Sequence, residues 1–189
     1  MDDGNSWIGM LIFAAAIVMF YLVYGFGAAL QAVNTSALED ERDEGNEKAE
    51  RLLHIQEAPT GFIRTNQAVT CFFTLAVGFF SLPVAAKYFS RLLGRFIWIP
   101  ASVTAVIAYV AAFILAAFLL ICLGIVIPKR LSAKSPVRFC YRTLSTIEGI
   151  ILLSRPFTWL EDIVTYVILK AVGIDIHALN DKVTEEDIM

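Results

Sequence analysis

Charge is scarce in this chain. Asp, Glu, Lys and Arg supply 17% of the 189 residues, against about 25% in ordinary soluble domains, and they are gathered in patches, so no broad basic face is available to a nucleic acid. Chemistry-bearing side chains are equally thin. The three cysteines, Cys71, Cys122 and Cys140, lack metal-ligand spacing, and two of them stand inside apolar runs where a small hydrophobe suffices. The two histidines, His54 and His177, are far apart and read as solvated surface residues. No nucleophile and base pair, phosphate loop or metal-ligand cluster is readable, which argues against an enzyme. Met1 to Ser6 carries Asp2 and Asp3 in place of a positive n-region, so the apolar run behind it is expected to stay in the mature protein.

What the chain has instead is hydrophobicity: 58% apolar residues and a mean hydropathy of +0.68. The longest uncharged run, Phe96 to Pro128, ends at Lys129 and Arg130. At about 1.5 Å per residue it exceeds the roughly 30 Å of a hydrocarbon core. Two further runs are long enough to cross, Trp7 to Val33 and Thr65 to Ala86, the latter entered from about residue 62. The prediction is an all-α integral membrane protein with three transmembrane helices at about 7–33, 62–86 and 99–127, the third ending sharply where Gly124 and Pro128 weaken its last turn. Gly25 and Gly27 give the first helix a narrow face suited to close packing or to exposed carbonyls. The second helix is unusually polar at its start, with Thr65, Asn66, Gln67, Thr70 and Thr74; such groups at membrane depth face a protein interior, a neighbouring helix or a water-filled cavity.

Between the first two runs, residues 36–57 are expected to form a charged helical hairpin, with capping-box spacing at Ser36 and Glu39 and a break at Gly45 and Asn46. Leu52, Leu53 and Ile55 would face the membrane or another helix. After the third run, two juxtamembrane helices are expected within 135–173. The first starts at Ser135 and Pro136 and buries Val137, Cys140, Tyr141, Leu144, Ile147 and Ile151. The second follows Arg155 and Pro156, buries Trp159, Leu160, Ile163, Tyr166 and Val167 on one side, and lies in the interface because Glu161 and Asp162 interrupt it. An acidic tail spans 178–189. The bases after the third run, Lys129, Arg130, Lys134, Arg138, Arg142 and Arg155, outnumber Lys87, Arg91 and Arg95 in the preceding connector, so the juxtamembrane helices are assigned to the cytoplasm and the N-terminus to the outside.

The order of features is itself informative. An acidic helical segment with Glu44, Gly45, Asn46 and Lys48 follows the first crossing, Pro59 to Phe62 leads into the second, and Gly124, Pro128 and Lys129 form a Gly-x-x-x-Pro-Lys exit from the third. With Ser135-Pro136 and the Val183 to Glu186 tail, this arrangement resembles the transmembrane domain of the CNNM/CorC family of magnesium transporters over nearly the whole chain. The resemblance implies a homodimer of three-helix protomers in the plasma membrane, belted by juxtamembrane helices and exporting Mg2+ in exchange for Na+. Relatives continue past such a tail into a helical bundle and nucleotide-binding CBS modules. The family's ion site resembles small hydroxyl residues and a Glu on the first helix, an Asn on the second and a Glu after the Gly on the third. Those positions fall here on Tyr24, Gly25, Phe26 and Gly27, on Thr74, and on Ile125.

The pathway expected from this sequence therefore runs by Gly25, Gly27, Asn66, Thr70, Thr74 and Gly124, with Pro128 and Lys129 as hinge and gate. It has oxygens but no carboxylate. Magnesium wants octahedral oxygen ligands and sheds water reluctantly, so a hydrated or monovalent ion suits this set better than a bare divalent one. A rival reading keeps the fold and the dimer as a membrane anchor without transport, favoured by Ile125 and Phe26 at ligand positions.

Overall fold

The computed structural model describes residues 6–95 and 100–172, so the tail at 178–189, the end of the segment predicted to reach 173, and the start of the third crossing at residue 99 lie outside the described residues. Every described element is helical. The first crossing is α1 (Ser6–Ala32). A hairpin follows, α2 (Thr35–Asp43) and α3 (Glu47–Glu57). The second crossing runs unbroken over Thr60–Leu93, through α4 (Thr60–Ala76), a π-helical stretch (Val77–Ser81) and α5 (Leu82–Leu93). The third, Ala101–Lys134, comprises α6 (Ala101–Leu119), a second π-helical stretch (Leu120–Val126) and α7 (Ile127–Lys134). The last helix, α8 (Pro136–Val172), packs back on α1, α3 and α4. By length and composition, three helices can cross a bilayer.

The hairpin forms because Asn34 and Asn46 are extended and their side-chain oxygens accept the Ser36 and Lys48 amides at 3.0 and 3.1 Å. Asn34 displaces the Ser36 cap expected from the sequence, since α2 already begins at Thr35. Gly45, at φ +91°, makes the reversal that a side chain would resist. Leu52, Leu53 and Ile55 are buried, and they meet another helix rather than lipid. With Leu38 and Ala49 they join Phe26 and Leu30 of α1, Phe62 of α4, and Cys140, Leu144 and Ile147 of α8 in the main core. This core lies at one end of the three crossings, the basal end.

Two expectations about helix ends need correction. The third crossing does not stop near Pro128 but continues to Lys134, and the second, expected to end at Ala86, runs through Pro83 to Leu93. A proline inside an α-helix clashes with the carbonyl four residues earlier. Here a π-helical stretch precedes each proline, with bonds from the Leu82 amide to the Val77 carbonyl and from the Ile127 amide to the Cys122 carbonyl. That five-residue spacing widens the turn and shifts the carbonyl out of the ring's way.

The expected pair of juxtamembrane helices is likewise one helix, running through Pro156. Arg64 of α4 holds the part beyond the proline, donating to the Thr158 carbonyl at 3.3 Å and to Asp162 at 3.1 Å through its other terminal nitrogen. Before Pro156 the expected face is packed in the core, but Trp159, Leu160, Ile163, Tyr166 and Val167 are exposed on this single chain, because no described element covers them.

Candidate functional site

The polar side chains of the second crossing divide between two faces. Asn66 and Thr70 are half-buried, whereas Gln67 and Thr74 are exposed on the outer side of α4. Thr70 donates to the Asn66 side-chain oxygen at 3.3 Å, and its own oxygen lies 3.2 Å from the Tyr24 hydroxyl. With the Thr70 proton committed to Asn66, Tyr24 is the donor in the second bond. The result is a hydrogen-bonded chain, Tyr24 to Thr70 to Asn66, that joins α1 to α4 about two turns before the basal end of α1. One residue before Asn66, the hydroxyl of Thr65 is buried and has no partner among the described residues. An orphaned oxygen of this kind is costly unless a water or an ion meets it.

The third crossing reaches the same place from the other side. The Lys129 ammonium lies 5.4 Å from the Tyr24 ring centre, a cation–π contact. Phe20 meets the Tyr24 ring edge-on at 5.9 Å. Gly124 lets the third crossing close on Phe20: a Cβ there would stand 2.9 Å from the Cβ of Phe20. Pro128 is buried beside Gly25, where an added Cβ would be 3.5 Å from the proline and 2.8 Å from the Phe139 ring of α8.

Gly25 and Gly27 therefore serve contact. Gly27 faces the Phe62 ring, 3.2 Å from an added Cβ, and neither glycine has Thr70 among its nearest neighbours. Phe26 is fully buried and packs edge-on against Phe62 at 5.2 Å. Ile125 is half-buried against an apolar cluster of Ala16, Phe20, Val77 and Leu120, in which both π-helical stretches meet α1. Of the residues singled out from sequence, the structure sets Thr70 and Lys129 against Tyr24, with Asn66 one bond behind Thr70 and Gly124 against Phe20; it puts Gly25, Gly27 and Pro128 in neighbouring packing contacts and leaves Thr74 outside. Tyr24 as the hub was not foreseeable from α4 alone; its position among the first helix's ligand positions was the available signal.

No aspartate or glutamate stands in Ser6–Ala32, Thr60–Leu93 or Ala101–Lys134, and among the described residues no group of three or more His, Cys, Asp or Glu side chains could hold a metal ion. Among the described residues the acids lie in and around the hairpin and on α8, where several fasten the basal end. Glu41 accepts from Tyr141 at 2.6 Å and from Asn46 at 2.7 Å. Glu148 pairs with Arg51, whose Nε lies 2.8 Å away. Burial, aided by the Glu41 carboxylate, raises the Tyr141 phenol above its usual value, and burial alone pushes the Cys140 thiol up to about 12.

With three crossings, a basal hairpin and a π-helical Gly-x-x-x-Pro-Lys exit in view, the family comparison is decisive. The family model described as Cyclin M transmembrane N-terminal domain, CNNM, matches residues 8–189. This chain belongs to the CNNM family. No curated protein sequence matches it significantly. The CNNM match covers all three crossings and α8, so the Tyr24 cluster sits within the family's membrane domain.

Proposed function

We propose that this CNNM-family chain is a membrane cation-transport module that carries magnesium, or a divalent cation of similar size, out of the cytoplasm in exchange for sodium. It would act as a homodimer in the plasma membrane, with the basal end cytoplasmic and the N-terminus outside. The observation that carries the reading is the Tyr24–Thr70–Asn66 chain, a line of oxygens joining two crossings, with the unpartnered hydroxyl of Thr65 buried on the same turn of α4. Without a carboxylate, these oxygens suit the water shell of a cation better than the bare ion, since neutral ligands do not offset the cost of stripping magnesium in lipid. Lys129 is the gate. Its ammonium over Tyr24 repels an entering cation until it swings away about Pro128.

Proteoliposomes loaded with a magnesium-sensitive dye test this directly. Flux through the wild type should exceed that of empty vesicles, fall in Asn66→Leu and Thr70→Val, and rise in Lys129→Met. A second reading, a non-transporting membrane scaffold, is favoured by one observation, the apolar packing of Ile125 with Phe20, Val77 and Leu120 where an acidic ligand would be needed. Wild-type vesicles no leakier than empty ones, with Lys129→Met and Ile125→Glu equally tight, would select the scaffold.

A further inference from the structure

A second polar site lies at the basal end, away from Tyr24. A cavity of about 290 Å³ opens between α3, the first turn of α4 and α8. Its polar wall is Arg51, His54, Arg155 and Glu148; its apolar wall includes Phe62 and Leu152. Arg51 is paired with Glu148, but among the described residues the side chains of Arg155 and His54 have neither an ion-pair nor a hydrogen-bond partner. Two arginines against one carboxylate leave the wall net positive.

The setting limits what can balance that charge. Leu152 is 61% exposed and the adjoining Leu153 79%, a surface that favours acyl chains over water. A ligand that fits both walls is amphipathic, with an anionic oxygen-rich head and a hydrocarbon tail. Arginine's planar donors match phosphate oxygens two at a time, and basic pockets at the ends of membrane helices are suited to acidic headgroups.

We propose that this cavity binds the phosphate headgroup of an anionic glycerophospholipid, held by Arg155 and His54 and shared by Arg51, with an acyl chain lying over Phe62 and Leu152. Bound there, the lipid bridges α3, α4 and α8 and fixes the basal core to the membrane surface. Glu148 moderates the site by holding Arg51.

Thermal unfolding of the full chain in a neutral detergent, titrated with dioleoyl phosphatidylglycerol, dioleoyl phosphatidylcholine or inorganic phosphate, tests the proposal. Phosphatidylglycerol should raise the melting temperature saturably, while phosphatidylcholine and millimolar phosphate should not. Arg155→Ala should raise the half-saturating phosphatidylglycerol concentration about fivefold, the loss of one near-surface cation, and Arg155→Ala with His54→Ala should abolish the shift. Glu148→Gln should lower the half-saturating phosphatidylglycerol concentration by freeing Arg51, a gain that misfolding cannot imitate. Arg130→Ala, a basal cation outside the cavity, should behave as wild type. An equal shift with phosphatidylcholine, or a phosphatidylglycerol shift that survives the double substitution, would overturn the assignment. So would stabilisation by phosphate alone that matches the lipid, which would make this a site for soluble phosphates. None of these readouts depends on cation flux.

Discussion

Substituting Gly124 by alanine isolates the contact on which the third crossing meets the first. The new Cβ would stand 2.9 Å from the Cβ of Phe20 and 3.2 Å from its ring, closer than carbon atoms sit without something moving. The atom it meets is anchored next to the α1 backbone, so the strain cannot be relieved by turning a flexible tip. Overpacking of this kind costs about 1–3 kcal/mol, whereas glycine to alanine in a helix returns about 0.5–1 kcal/mol. A net loss of about 0–2.5 kcal/mol follows, or a melting temperature lower by up to roughly 10 °C for a chain of this size, and in either case about 1–3 kcal/mol below a glycine to alanine change that meets no obstacle. Gly149→Ala is the matched control, since no atom lies within 4 Å of its added Cβ; only the helix term remains, and it should melt at or slightly above wild type. Both are measured by thermal unfolding in the same detergent. If Gly124→Ala melted as high as Gly149→Ala, the close packing of Phe20 on Gly124 would be refuted, and with it the seating of the third crossing against α1.

Ser81→Ala removes the buried hydroxyl that donates to the Gly9 carbonyl at 2.7 Å, and should lower stability by about 1 kcal/mol in the same melts. Tyr141→Phe removes the bond to Glu41 and should cost about 1–3 kcal/mol, as for hydrogen bonds to charged groups, with faster proteolysis around Gly45 as the readout. Because the fold keeps the Tyr141 phenol protonated beyond its ordinary value, its contribution is full below about pH 10 and lost as pH climbs above that. Wild type should therefore lose melting temperature between neutral and strongly alkaline pH more steeply than Tyr141→Phe. Cys140 is buried with its thiol pushed up to about 12, so it should resist iodoacetamide at pH 8 in the folded protein and react after unfolding in SDS, as mass spectrometry would show.

Much of this architecture was legible in the residues. Long uncharged runs bounded by Arg64, Lys87 and Lys129 can only be crossings, and a polar stretch broken at Gly45 and Asn46 can only leave the membrane. Helix ends were harder to read. Pro128 and Pro156 look like terminators because a proline's cost is local and visible, while the π-helical turn that absorbs Pro128 and the Arg64 clamp beyond Pro156 depend on neighbouring helices. At the site, Asn66 and Thr70 share a face with Thr74 by spacing alone, yet only Thr70 bonds α1, with Asn66 behind it, while Thr74 is exposed. Which side of a polar stripe turns inward is decided by the partner, here Tyr24, about which the second helix carries no information.

The Gly9 to Ser81 contact has a consequence for how the bundle can move. An added Cβ at Gly9 would lie 2.8 Å from the Phe80 carbonyl, so at the end away from the hairpin the two backbones nearly touch and one hydroxyl stitches them. Sliding one rod along the other would tear that stitch and grind main chain on main chain. The upper halves of the first two crossings are thus a single stiff piece. Any parting between them must begin lower down, where the 3.2 Å link from Tyr24 to Thr70 and the side-chain packing of Phe62 on Phe26 and Gly27 have to give way, but no main chain has to slide on main chain.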